Sequence, residues 1–393
     1  MDRPNETLIP ADTRWLIDPD AQIVCRAIAA GGHQILFVGG CVRNALLGRA
    51  DSDVDLATDA RPERVMDLAK AAGLKAVPTG IDHGTITVVS GGKGFEITTF
   101  RRDVETDGRR AVVAFSDTIH DDASRRDFTM NALYCTPEGQ VIDPLGGGLP
   151  DLRAGRVRFI EDPNARITED YLRILRYFRF YAWYADPTEG FDPDALDAIS
   201  RNSDGLETLS AERVGAEMRK LLAAPDPAPA IAQMRQTGVL QVILPGSDDT
   251  WLGPVVHQQD TLGRSCDWQV RLAALGGEEV ADRLRLSKAD ARKLGDLRDL
   301  GFGAMPLPEV AFRYGAEMAI GALILRTASA GRHVLKSELD AIEEGASAEF
   351  PVKARDLMPD YTGKALGDQL EVLKHRWIAS RFSLSKADLL RSG

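Results

Sequence analysis

The sequence predicts an α+β fold in which a head with a small mixed β-sheet is followed by an all-helical remainder. Three observations carry the prediction. The first seventy residues run in strand–turn–helix–strand–helix order, two β-rich runs near residues 83–102 are joined by a glycine turn, and strand patterning disappears after "TMNALYCTPEGQVIDP", giving way from about Arg166 to helix after helix. At 393 residues the chain exceeds one ordinary core, so two to four domains are expected.

Residues 22–32 read as a helix that stops at Gly31 and Gly32. The apolar run "ILFVGG" then suits a buried strand leading into a glycine turn, and "NALLG" a short helix. "DSDVDLAT" alternates polar and apolar residues, as a half-buried strand should. "RPERVMDLAKAAG" has helical spacing, with Pro62 near its start and Gly73 just past its end. "HGTITVVSG" and "GFEITTFRR", separated by "SGGKG", form a hairpin pattern. Residues 102–122 are charged and without clear periodicity, which predicts a mobile loop. Beyond Arg166, "DPTEGFDPDAL" and "PDPAPA" mark connections between helices, and "LPGSDD" marks a joint near residue 245.

Composition narrows the function classes. Apolar residues make up 44% and charged residues 27%, the balance of a soluble globular protein. No leader pattern and no run of about 18 apolar residues is present, so a cytoplasmic protein is expected. Cys25, Cys41, Cys135 and Cys266 stand far apart without ligand spacing, which argues against a disulfide frame or a zinc site. The formal charge of −11 argues against nucleic acid as a global average, yet leaves room for a local basic track.

The chemistry concentrates in "GGCVRNALLGRADSDVDLAT". Asp53 and Asp55 are one residue apart on the expected strand, so both side chains share a face. Two neighbouring carboxylates repel unless a cation lies between them, and hard oxygen ligands suit Mg²⁺. Asp51 could serve as a third same-face acid. Gly39 and Gly40 let backbone N–H groups approach phosphate oxygens, and Arg43 adds a cation beside that turn. Glu96, on the second strand of the hairpin, is the candidate third metal ligand for a two-metal displacement. A phosphate cradle, a cation and metal carboxylates together point to nucleotide chemistry.

The ordered set "GGCVRNALLG…DSDVDL", "TGIDHGTITV", "EITTFR", "SRRDFTMNAL", "IDPLGGGLPDL", "ITEDYLRILRYFRF" and "LSAERVGAEM" resembles the bacterial class (class II) of tRNA nucleotidyltransferases, the CCA-adding enzymes and their poly(A) polymerase relatives. The resemblance runs from about residue 35 to 220. It implies a polymerase-β-like nucleotidyltransferase head over 1–155, a helical neck for base recognition over 156–245, and a helical body and tail for tRNA over 246–393. It further implies template-free addition of C, C and A to the tRNA 3′ end, with CTP, ATP and Mg²⁺.

By the same resemblance Asp53 and Asp55 are metal ligands, Gly40 and Arg43 triphosphate contacts, and Arg126 and Asp127 contacts to the nucleotide sugar. In "EDYLR", Asp170 and Arg173 are three apart on an expected helix and hence on one face. Cytosine and adenine each offer an amino donor beside a ring-nitrogen acceptor, which an Asp acceptor next to an Arg donor would satisfy; uracil and guanine would leave those groups unpaired. Arg176 and Arg179 extend the row toward phosphates of the nucleotide or of the tRNA end. Ser210 reads as an N-cap, with Glu212 and Glu217 supporting helix packing. Asn44 stands where the family commonly has Asp, and is left out of the metal site. Rival readings are a poly(A) polymerase, a partial CC- or A-adding enzyme, and an RNA-binding protein without catalysis. The segment 102–122 is expected to help switch base choice.

Overall fold

The computed structural model describes residues 7–49, 53–107, 110–264 and 267–391, so Asp51 and Cys266 lie outside the described residues. The chain divides into two compact units, one of residues 1–217 with 233–243 and the other of residues 218–232 with 244–393.

The first unit opens with α1 (Arg14–Ile17) and α2 (Pro19–Ala29), then β1 (Ile35–Val38), α3 (Gly40–Leu46), β2 (Asp55–Thr58), α4 (Pro62–Ala71), β3 (Lys75–Gly80), β4 (Thr85–Ser90) and β5 (Lys93–Thr99). A two-stranded pair follows, β6 (Arg101–Asp107) and β7 (Arg110–Phe115), then α5 (Ile119–Ser124), β8 (Tyr134–Cys135), β9 (Val141–Ile142) and α6 (Gly148–Ala154). The sheet is mixed and seven-stranded, in the order β3-β4-β5-β2-β1-β8-β9. Strand β1 pairs antiparallel with β2, whereas β2 pairs parallel with β5. The hairpin between β4 and β5 turns at Gly91 and Gly92, both at positive φ, which only glycine adopts without strain. Leu36, Val38, Ala57, Phe100, Tyr134 and Ile160 form one buried cluster around these strands.

Helices α7 (Pro163–Glu169), α8 (Leu172–Tyr184) and α9 (Pro193–Arg201) complete most of this unit, with α10 (Ala211–Leu222) leading out of it and α11 (Ala228–Gln236) and α12 (Val239–Ile243) returning. Aromatic packing fixes α8 against the head. Phe128 lies 4.7 Å from Phe180 and 5.1 Å from Phe159, and Phe159 stacks on Tyr177 at 5.5 Å. Phe128 and Tyr177 are fully buried, so the residues just before Phe128 are held beside α8.

The second unit continues with α13 (Leu252–Thr261), α14 (Trp268–Leu275), α15 (Val280–Arg283), α16 (Lys288–Phe302), α17 (Leu307–Tyr314), α18 (Ala316–Ser329), α19 (Lys336–Ser347), α20 (Gly363–Ala379) and α21 (Lys386–Leu390). Its most buried charge is Arg271, 1% exposed, which donates to the Leu222, Ala224 and Pro225 carbonyls and to the Gln259 side chain. A cation thereby caps the otherwise unpaired carbonyls at the end of α10. Among the described residues no helix is long and apolar enough to cross a membrane.

Three expectations are corrected. Residues 102–122 are not an irregular loop: most belong to β6, β7 and α5. The ordered strand begins at Asp55 rather than before it, so Asp53 sits in the irregular segment leading into β2. Asp170 is not helical. It has φ −156° and ψ 104° between α7 and α8, so the same-face argument for Asp170 and Arg173 does not apply.

Candidate active site

Three adjacent strands bring the acidic residues together. Val38 of β1 is in register with Asp55 of β2, and Asp55 with Glu96 of β5. Parallel neighbours in register put their side chains on the same face, about 5 Å apart. Asp53, Asp55 and Glu96 are all solvent-exposed, so the carboxylates open outward rather than being sealed in the core. Partial desolvation, Glu96 and Asp53 together raise the Asp55 pKa, and Arg126 opposes them. Among the described residues no group of three or more His, Cys, Asp or Glu side chains converges closely enough to enclose a metal ion unaided. The donor set nevertheless fits a hard divalent cation that takes most of its ligands from water and phosphate oxygens.

The glycine turn follows directly from β1. Gly39 has φ 72° and caps α3, and a Cβ placed there would lie 3.4 Å from an Arg126 guanidinium nitrogen. Gly40 is the first residue of α3. Cys41 is a buried neutral thiol, its pKa pushed up to about 11 by burial, and it donates to the Val38 carbonyl at 3.4 Å. The first turn of α3 is therefore tied back to the end of β1.

Arg43 is the most unusual group in the site. It is 6% exposed, yet among the described residues its hydrogen-bond partners are all neutral: Asn44 Oδ1 at 3.1 and 3.2 Å, Asn131 Oδ1 at 2.8 Å and the Tyr184 hydroxyl at 2.8 Å. Its guanidinium lies over the Tyr184 ring at 4.1 Å and the Phe180 ring at 5.1 Å. Burial, with Arg179 and Arg176 nearby, holds its pKa below the ordinary guanidinium value against the pull of Tyr184 and Asp127. A buried cation without a carboxylate on it is costly unless an anion arrives to complete it. Asn44 offers the guanidinium an amide oxygen where an aspartate would bring a charge.

Arg126 is held differently. Its guanidinium donates to Asp122 at 3.0 Å and to the Tyr134 hydroxyl at 3.1 Å, and Tyr134 donates in turn to Asp122 at 2.7 Å. Burial works to raise the Asp122 pKa, but Arg126 and the Tyr134 hydroxyl outweigh it and the net shift is downward. Asp127 is also saturated within the protein. Its Oδ1 accepts from the Phe128 N–H and the Asn131 amide, and its Oδ2 accepts from Arg176 at 2.7 Å. Arg176 and Asp127, expected to serve the nucleotide separately, are thus paired with each other. Arg179 pairs with Glu217, and the two are 12% and 6% exposed.

Asp170 and Arg173 likewise have partners, but not each other's side chains. Arg173 donates to Glu169 at 2.6 Å and to the Arg166 and Arg125 carbonyls, locking it beside the segment that carries Arg126. Asp170 Oδ1 accepts from the Leu172 N–H and so starts α8 in the manner of an N-cap; Oδ2 accepts from Arg213 at 2.7 Å. Arg173, Arg176 and Arg179 do form a half-buried row along α8.

Sequence reasoning missed Tyr184, Asn131, Asp122, Tyr134 and Arg213. Tyr184 alone had a visible signal: it is eleven positions, about three helical turns, beyond Arg173 and so continues the arginine row. Asn131 and Arg213 depend on contacts distant in the chain, whereas Asp122 and Tyr134 lie within a few turns' length of Arg126 and of each other.

The family described as "Poly A polymerase head domain" matches residues 35–158, and "Probable RNA and SrmB- binding site of polymerase A" matches residues 190–250. The mitochondrial CCA tRNA nucleotidyltransferase 1 of Danio rerio is 34% identical over 376 residues, covering 91% of this chain and 86% of that protein. The CCA-adding enzyme of Geobacillus thermodenitrificans is 32% identical over 378 residues, covering 91% of each. Among solved structures, the Bacillus stearothermophilus CCA-adding enzyme in complex with CTP aligns over 94% of both chains with a TM-score of 0.72 and 27% identity.

Proposed function

The chain belongs to the family of CCA-adding tRNA nucleotidyltransferases, and on that premise we propose which of its residues carry the reaction. The enzyme adds C, C and A to the 3′ end of tRNA from CTP and ATP. The observation that carries the residue assignment is Arg43, a buried guanidinium with no carboxylate partner among the described residues. Its missing counter-charge is the triphosphate of the incoming nucleotide.

Gly40 and Arg43 take the triphosphate, Gly40 through backbone and Arg43 through charge. Asn131, Asn44 and Tyr184 hold the guanidinium in place without neutralising it. Arg176 and Arg179 line α8 toward the phosphates while paired with Asp127 and Glu217, and Asp127 acts on the nucleotide side through Arg176, which it orients. Arg126, held by Asp122 and Tyr134, sits under Gly39 and tempers the repulsion at Asp55.

Asp53, Asp55 and Glu96 would hold Mg²⁺, consistent with exposed oxygen donors that repel one another. When bound, the ion lowers the barrier by stabilising the charge that develops as the 3′-hydroxyl displaces pyrophosphate. Asp170 and Arg173 select the base: the carboxylate accepts from the amino group of C or A and the guanidinium donates to the ring nitrogen. The residues divide functionally into a catalytic head over 1–155, a base-reading neck over 156–245 and a tRNA-binding body and tail over 246–393.

Incubation with tRNA lacking its terminal CCA, Mg²⁺ and each labelled nucleotide in turn tests the assignment. Wild-type protein should incorporate C and then A and stop after three residues. Asp53→Ala or Asp55→Ala should lose at least ~10³-fold in rate, corresponding to several kcal/mol of lost transition-state stabilisation, while tRNA still binds. Full activity in both variants would remove the metal assignment.

A further inference from the structure

Asp170 and Tyr171, adjacent in the chain, are both seated on the segment that runs from residue 205 to the start of α10. The Tyr171 ring lies so close over Gly205 that a Cβ there would fall 2.2 Å from it. Beside it, the Arg213 guanidinium donates to Asp170 Oδ2 at 2.7 Å, with the two side chains 45% and 34% exposed. Arg213 is itself anchored at the helix start, where its backbone N–H donates to the Ser210 carbonyl at 3.0 Å. The sequence had offered this motif only a packing role.

The consequence lies in what a flexible carboxylate would do. Asp170 sits in the break between α7 and α8, where α8 holds its side chain by a single contact at one oxygen. One oxygen is occupied by the Leu172 N–H. Without a second hold, rotation about its side-chain torsions would present an acceptor in more than one direction, and a base with a different donor pattern could be met by a different rotamer. A guanidinium on Oδ2 removes that freedom.

We propose that Arg213 is a positioning residue for base selection: together with the Gly205 seat beneath Tyr171, it aims the Asp170 carboxylate so that C and A are accepted and U and G refused. This rests on the reading of Asp170 as the base acceptor. Arg213 touches neither nucleotide nor metal in this role, and acts only through Asp170.

The test is incorporation of each of the four nucleotides onto tRNA lacking CCA, with kcat and KM measured separately, for Arg213→Gln, Arg213→Lys, Gly205→Ala and Asp170→Ala. Arg213→Gln should raise U and G incorporation relative to C and A by about three- to fivefold, the scale an exposed ion pair can supply. Its melting temperature should match wild type, and Arg213→Lys should recover most of the selectivity. Gly205→Ala should shift selectivity in the same direction, with circular dichroism separating displacement of Tyr171 from unfolding. If Asp170→Ala relaxes base choice while Arg213→Gln leaves it at the wild-type ratio, the inference is overturned and the base reading stands. If Asp170→Ala itself leaves selectivity intact, the base reading falls and the inference falls with it.

Discussion

Arg43 in the first unit and Arg271 in the second are both almost fully buried, at 6% and 1% exposure, yet they are surrounded in opposite ways. Arg271 reaches three carbonyls at the end of α10, where the helix dipole is negative and hydrogen-bond acceptors would otherwise be stranded. Among the described residues Arg43 reaches only amide and hydroxyl oxygens, and it has two further arginines in its field. The first arrangement satisfies the cation and stabilises a helix end. The second leaves electrostatic potential unspent, and such potential is useful only to a ligand. Burial alone therefore says little about an arginine's role; the charge of its partners decides.

Replacing each residue should separate the two roles. Arg271→Met, which strands several buried carbonyls, should cost roughly 3 kcal/mol or more in stability, read from a urea titration. The rate per folded molecule should change little in single-turnover assays. A large rate loss without loss of stability would break the comparison from the second unit's side.

Arg43→Ala should do the reverse. Loss of charge-assisted contacts to the triphosphate is expected to lower kcat/KM for CTP and ATP by about 2–3 kcal/mol, roughly 30- to 150-fold. The urea midpoint should hold or rise, because an uncompensated buried cation is removed. A marked fall in the midpoint with nucleotide affinity intact would make Arg43 a structural residue after all.

Arg126 sharpens the contrast most finely, since within the same unit it has the carboxylate that Arg43 lacks. The Asp122 pKa is lower in the folded protein than in the unfolded chain. Its stabilising contribution is therefore present above the unfolded value and lost as pH falls through the folded one. The stability advantage of wild type over Asp122→Asn should accordingly shrink as the medium is taken from roughly pH 5 to about pH 2. An advantage that stays constant over that range would show that the pair is held by shape rather than by charge.

Much of this site was legible because its signals are local. Gly39 and Gly40 after an apolar run, paired aspartates and a hairpin with Glu96 on its second strand each encode their geometry within a few residues. The in-register pairing of Asp55 with Glu96 follows from them. Asp170 failed because spacing counts cannot see a cap: its own side chain takes the Leu172 N–H, starting one helix where the sequence pattern runs straight through. The pair β6 and β7 was missed because β6 is written mostly in charged residues and β7 is a short apolar run, although Asp107 before Gly108 is a recognised turn signal. Strand β3 contains Pro78, which reads against a strand in a sheet interior but is tolerated at the edge that β3 occupies. Arg213 and Asn131 left no trace, since what matters about them is a partner dozens of residues away.

Helix α8 has a property that follows from carrying Arg173 near one end and Tyr184 at the other. Eleven residues at 1.5 Å each separate them by about 16 Å. The proposed base contact and the ring under Arg43 are thus mounted on one rigid rod, and the distance between them is set by a residue count rather than by the give of a pocket wall. A single added residue would lengthen the rod by about 1.5 Å and swing one end by about 100° relative to the other. On the proposed assignment, the incoming nucleotide is measured against a helix, and such a gauge does not stretch to suit a different guest.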